Sequence, residues 1–201
     1  MSFPHVQQIS EAHCGAAVLE MLLAVLGEQV TQEEIATAAD VEDTIAEHGM
    51  RVDQIALASS RLAPHLQFWY KYKSTLDDLR VVLNKGYGVG VEWQGLFYDS
   101  EEEEKVDGDY GHYSIVSHID EERKLVIIVD PYKDFSRQDR LFPIDFFLRR
   151  WWDTNEVRDP QTGRPHIVED VRLMFFVTFI GDEFPEHHGF KRYSRFDRDD
   201  D

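Results

Sequence analysis

Gln8-Ile9-Ser10-Glu11-Ala12-His13-Cys14-Gly15-Ala16-Ala17 is a polar stretch that turns apolar, and the chain's single cysteine sits at the change. From Ala16 to Leu26 the sequence runs A-A-V-L-E-M-L-L-A-V-L, apolar on nearly every face, and Gly27 supplies a stop. Such a segment is a helix buried at a domain centre, and it is too short to span a bilayer. Cys14 falls in its first turn, where unpaired backbone N–H groups and the helix dipole favour an anion. A thiol placed there ionises more easily than a free one, and the thiolate is the reactive form. Gln8, upstream, carries a side-chain amide able to reach back over the same terminus. A lone cysteine is ordinarily a small buried hydrophobe, so a nucleophile needs support from the rest of the chain.

The length of 201 residues suits one domain with a substantial core. One cysteine excludes an internal disulfide and any multi-cysteine zinc site. The start, Met1-Ser2-Phe3-Pro4-His5-Val6, has neither a basic segment nor an apolar run, so no signal peptide is read and the expected location is the cytoplasm. No stretch is long enough for a transmembrane helix. With 39 acidic against 21 basic residues the net charge is −18. That excess argues against nucleic acid or an anionic membrane surface as a partner, because both require cationic patches. It permits basic substrates, although most of these charges serve solubility.

Along the chain, Thr31-Gln32-Glu33-Glu34 matches a capping box opening a helix to about Ala39. Two further helices are expected at Thr44–Gly49 and Val52–Leu62. Leu66–Tyr72 is aromatic-rich and reads as a strand, and Ser74-Thr75 caps a helix from Leu76 to Lys85. Gly88–Trp93 reads as a strand. An acidic loop with Asp99, Glu101 to Glu104, Asp107 and Asp109 leads into two strands, His112–His118 and Lys124–Asp130. Pro143–Trp152 fits a helix with proline in its first turn. Asp153–Glu169 reads as a loop from its Asp-Pro and Thr-Gly pairs, Val171–Ile180 as a strand, and Asp182–Asp201 as a loose charged tail after a domain of residues 1–181. Helices followed by mostly antiparallel strands make an α+β pattern, with a helical lobe in the first third of the chain.

A cysteine nucleophile needs a base within hydrogen-bond reach and a third group to orient that base. A hairpin turn centred on Glu121 sets His112 directly opposite Asp130, Tyr113 opposite Val129 and Ile115 opposite Ile127. Opposed residues have Cβ atoms about 5 Å apart, close enough for imidazole–carboxylate contact, whereas a one-residue slip would put His112 and Asp130 on opposite faces. In this reading Cys14 attacks an acyl carbon, His112 takes and returns the proton, and Asp130 holds the imidazole. Gln8 and the Cys14 backbone N–H donate to the oxyanion. Gly15 lets a substrate backbone approach the helix start, and Gly111 is assigned to substrate binding beside it.

The pattern Gln-x-x-x-x-x-Cys-Gly-Ala-Ala, then Gly-His-Tyr-Ser-Ile-Val and later Val-Asp-Pro, resembles papain-like cysteine peptidases. Within them it is most similar to the double-glycine leader peptidases that front bacteriocin exporters, and to their stand-alone relatives. The resemblance spans roughly residues 6–132 and implies a papain-like fold, a helical lobe against an antiparallel sheet lobe with the site in the cleft between. It also implies Gln8 as oxyanion donor, Cys14 as nucleophile, His112 as base and Asp130 as its orienting acid. Family spacing alone separates Gln8 from Gln7. The departures are His13, where that family often has aspartate, the acidic insertion before His112, and the lack of a transporter segment.

The expected activity is cysteine-dependent hydrolysis of a peptide or amide bond through an acyl-enzyme, on a peptide or protein substrate and without cofactor or metal. Glutamine deamidation or transamidation uses the same triad, and a catalytically silent peptide-binding module would keep the same cleft. His118 is an alternative base. A calcium site from Asp99, Asp107 and Asp109 lacks ordered ligand spacing, and Glu186-His187-His188 is too isolated to hold a metal. The acidic loop is either solvated or a lid favouring basic residues.

Overall fold

The computed structural model describes residues 3–95, 111–158 and 162–194. Helices α1 (Cys14–Ala24), α2 (Gln32–Ala38), α3 (Ile45–His48) and α4 (Val52–Leu62) come first, then β1 (Leu66–Lys71), α5 (Leu76–Asn84) and β2 (Val89–Trp93). After them run β3 (His112–Asp120), β4 (Leu125–Val129), β5 (Arg140–Pro143), α6 (Ile144–Arg150), β6 (Trp152–Arg158), β7 (Pro165–Val171), β8 (Met174–Phe179) and β9 (Lys191–Arg192). Local chemistry accounts for several boundaries. Thr31 accepts from the Glu34 N–H while Glu34 returns a bond to the Thr31 N–H, and Thr75 with Asp78 does the same for α5.

Seven antiparallel strands form one sheet in the order β5-β4-β3-β2-β8-β1-β9. Apolar residues cover both of its faces, and neighbours alternate between two cores. Phe68, Tyr113, Ile115 and Phe175 join α1, α2 and α4 in one core; Trp69, Val116 and Phe176 join residues of α5 and α6 in the other. α1, apolar nearly all round, packs against α2, α4 and β3, so Cys14 at its first residue is carried to the strand that begins with His112.

The hairpin register differs from the expected one. Ile115 opposes Val129 and Val116 opposes Ile128, and beyond a bulge at Ser117 His118 opposes Ile127. Residues Glu121 to Lys124 fill the turn, with Lys124 at φ 56°. The shift from the expected pairing is three residues between the turn and the bulge but two on the His112 side of it, an even number, so His112 and Asp130 still share a face. His112 therefore meets Asp130 along a diagonal rather than directly across.

Two segments read as irregular are folded. Within Asp153–Glu169, β6 and β7 pair from Trp152↔Val171 to Arg158↔Pro165. Of the pairs that suggested a loop, Thr162-Gly163 lies just before β7 and Asp159-Pro160 falls outside the described residues; most of β7 is exposed. The stretch read as a loose tail from Asp182 is held as far as Ser194. Phe184 and Phe190 pack edge-on against Phe176, His188 Nδ1 lies 2.7 Å from the buried Asp78 Oδ1, and β9 pairs with β1. Charge averaged over the segment hid three aromatic anchors, Phe184, Phe190 and Tyr193. Residues 195–201 lie outside the described residues.

Candidate active site

His112, the first residue of β3, is buried, and its Nε2 lies 2.8 Å from Asp130 Oδ1. That leaves Nδ1 for the ring's other polar neighbour, the Cys14 thiol at the start of α1. A hydrogen bond and charge from that thiol are among the influences that raise the ring. α1 has no acidic residue in its first turn and no side-chain cap, so nothing on the helix itself offsets the positive end of its dipole beside the sulfur. His13 occupies the cap position and turns its Nδ1 to Ser10 Oγ at 2.6 Å.

Asp130 follows the last residue of β4 and is fully enclosed. Oδ1 accepts from His112 and from the Tyr132 N–H at 2.9 Å; Oδ2 accepts from Arg140 Nη1 at 2.6 Å and from Ser114 Oγ at 3.5 Å. Burial alone would raise this carboxyl, but the charge and hydrogen bond of His112, then Arg140 and the Tyr132 N–H, outweigh it and hold Asp130 down to about 2. Burial likewise works against a charged His112, and Asp130, followed by Cys14, overrides it and carries the ring to about 10. The imidazolium and the carboxylate therefore coexist across the neutral range.

Gln8 is buried and Gln7 exposed, which separates the two glutamines structurally. The Gln8 backbone N–H donates to Pro131 O at 2.9 Å, tying it to the residue after Asp130. Its side-chain Nε2 donates to Ser10 O at 2.7 Å, and its buried Oε1 has no partner. Both glycines stand where a side chain would be crowded. A Cβ on Gly15 would meet Ile55 Cδ1 at 3.0 Å and Tyr113 Cδ2 at 3.3 Å, so glycine eases the packing of α1 on α4 and β3. A Cβ on Gly111 would fall onto the Asp153 carboxylate, which lies over the strand's entrance. His118 is exposed, lies past the bulge and takes no part. The acidic loop and the proposed calcium ligands Asp99, Asp107 and Asp109 lie outside the described residues.

Sequence reading missed Arg140 and Ser114 around Asp130, and it missed a buried acidic group on the neighbouring strands. Glu92 is pushed up to about 7 by burial, with Tyr113, Asp170, Asn155 and Asp153 around it. Asn155 Nδ2 bridges Glu92 Oε1 and Asp170 Oδ2 at 3.3 and 3.0 Å. Tyr113, its hydroxyl driven up by burial and by Glu92, links this group to the Cys14 end of α1. A glutamate inside an apolar strand, Val89–Trp93, was the one available sequence signal. Among the described residues no group of three or more His, Cys, Asp or Glu could hold a metal ion, and no helix is long and apolar enough to cross a membrane.

A family model described as the Peptidase_C39 like family matches residues 1–158, a span that includes Gln8, Cys14, His112 and Asp130. No curated protein matches the chain. Among solved structures, the chain resembles the peptidase domain of Streptococcus ComA, a bi-functional ABC transporter involved in a quorum-sensing pathway, with TM-score 0.57 and 18% identity over 86% of this chain and 95% of that one. A structure from Bacillus anthracis described as C39-like peptidase gives TM-score 0.58 and 18% identity over 87% and 94%. At that identity the likeness is one of fold.

Proposed function

The chain belongs to the Peptidase_C39 like family, and on that footing we propose that it cleaves a peptide or amide bond of a peptide or protein substrate, with Cys14 as nucleophile. The observation that carries this reading is the buried His112–Asp130 pair, 2.8 Å apart, with the far side of the ring turned to the one cysteine of the chain. The Cys14 thiolate adds to the carbonyl carbon, and the negative charge moves to its oxygen. The backbone N–H of Cys14 and the Gln8 amide donate to that oxygen. An amide nitrogen carries two N–H groups; the Gln8 amide spends one on Ser10 and keeps one for the substrate. The His112 imidazolium then protonates the leaving amine, which departs to leave a thioester. Neutral His112 removes a proton from water, which attacks the thioester and restores the thiol.

Because Cys14 is the single cysteine, its alkylation by iodoacetamide reports the site without ambiguity. Rapid labelling well below the ordinary thiol range of about 8.5 is expected; labelling that rises only near that value would overturn the reading. Substrates are found by incubating protein mixtures with the native protein or its Cys14→Ala variant and comparing them by mass spectrometry. New termini made by the native protein alone support hydrolysis. A gain of about 1 Da on glutamine, without new termini, would replace it by deamidation through the same acyl-enzyme.

A further inference from the structure

Asp130 is buried with two oxygens to satisfy, and the His112–Asp130 contact uses one. On the other oxygen, Arg140 Nη1 at 2.6 Å is the close donor; Ser114 Oγ stands at 3.5 Å. Arg140 is itself fixed. It opens β5 opposite Ile128, two residues before Asp130 on the adjacent strand. Its guanidinium is buried between the rings of Phe135 and Phe142, 3.9 and 4.7 Å from their centroids. A planar cation stacked this way has little freedom to turn, so the carboxylate it grips has little either.

Resting on the reading of Cys14, His112 and Asp130 as a catalytic relay, we infer that Arg140 is its fourth member, a positioning residue. By clamping Oδ2 it presents Oδ1 to the imidazole and keeps Nδ1 aimed at the Cys14 sulfur. Three adjacent strands thus supply one line of groups: Arg140 from β5, Asp130 from the end of β4, His112 from β3. The charges along it alternate, guanidinium, carboxylate and imidazolium, and the line ends at the Cys14 sulfur. Removing the clamp leaves Oδ2 with the long Ser114 hydroxyl contact, so the carboxylate is held firmly at Oδ1 alone, by the Tyr132 N–H and the ring, and its plane can pivot about that oxygen.

The test compares Arg140→Met, Arg140→Lys, Asp130→Asn and the double variant that joins Arg140→Met to Asp130→Asn. Two readouts are independent of turnover: the iodoacetamide labelling rate of Cys14 across pH, and the downfield NMR signal of the His112 Nε2 proton shared with Asp130. Arg140→Met is expected to slow labelling below pH 8 by about ten- to a hundredfold, the scale on which outer partners of such groups act, and to erase the proton signal. Arg140→Lys, which keeps a cation and a donor, should restore both. In a double-mutant cycle, losing Arg140 should cost nothing more once Asp130 is already Asn. The double variant also removes both buried charges together, which folded proteins tolerate better than removal of one, so a misfolded Arg140→Met leaves the comparison of the double variant with Asp130→Asn, and the lysine variant, to decide. Native labelling and an unchanged proton signal in folded Arg140→Met would overturn the inference, as would a further loss in the cycle. If no substrate is ever found, the peptidase reading falls while these two readouts still report on Arg140. Where turnover is measurable, the effect should fall on kcat and leave KM unchanged.

Discussion

Changing Cys14 to alanine is expected to lower kcat by about 10⁶-fold, the loss seen when the nucleophile of a relay is removed, while leaving the fold in place. The sulfur is the atom that forms the thioester, and no second thiol exists to replace it. What survives is the catalysis that oxyanion donors and binding provide alone. The fold should hardly notice. Cys14 is packed at the start of a helix continued by Gly15, Ala16 and Ala17, and alanine is the best helix former. Deleting one buried sulfur costs about 1 kcal/mol, a typical value for a single substitution, so the urea midpoint should move little. A second consequence is specific to the proposed contact. Cys14 is among the groups that hold His112 up, so the ring's titration should move down in the variant, as NMR would show. Turnover within tenfold of the native rate, or an unmoved His112, would remove Cys14 from the site.

Much of this arrangement is legible in the chain itself, and what is not has identifiable causes. α1, α2, α4 and α5 are announced by local chemistry: an unbroken apolar run ending in Gly27, two capping boxes, and apolar residues at helical spacing. The meeting of His112 with Asp130 was foreseen on a wrong register. It survived because a strand repeats every two residues: the four-residue turn moves the pairing by three, the bulge at Ser117 takes one back, and the shift at His112 is the even number two. Family resemblance pointed to Gln8 over Gln7, and burial separates the two in the same sense. Arg140 could not be read in this way. It lies in a short strand with no pattern of its own, and its role exists only because β5 lies beside β4. The same holds for Gly15 and Gly111, where the space for a side chain is taken by Ile55, Tyr113 and Asp153, all distant in sequence. The β6–β7 hairpin escaped because its turn residues outweighed the short alternations flanking them. Local signals named the candidate site residues, and tertiary contacts decided which further groups hold them.

The remaining large effect is expected at Asp130, in stability as much as in rate. In Asp130→Ala, Arg140 becomes a buried guanidinium without its carboxylate and His112 a buried ring without its acceptor. Breaking a buried ion pair from one side costs about 3–5 kcal/mol, and loss of an orienting aspartate costs about 10⁴-fold in kcat. The pH dependence separates this cause from general loosening. His112 is raised to about 10, above its ordinary 6.5, so the stability it contributes is complete below 6.5 and is lost as pH rises through 10. Between those limits the native ring holds a proton that the unfolded ring does not, which makes stability fall by about 1.4 kcal/mol per pH unit from this group. Asp130, lowered to about 2, contributes the stability that is complete above about 3.8 and is lost as pH falls through 2. Without Asp130 the largest influences raising His112 are gone and burial opposes its charge, so the decline between 6.5 and 10 should vanish. Subtracting the urea stability of the variant from that of the native protein at each pH removes the background from the net charge of −18, which both share apart from the one substitution. A difference that falls toward pH 10 is the expected result; a flat difference would mean that the imidazolium and Asp130 are not paired in the folded protein.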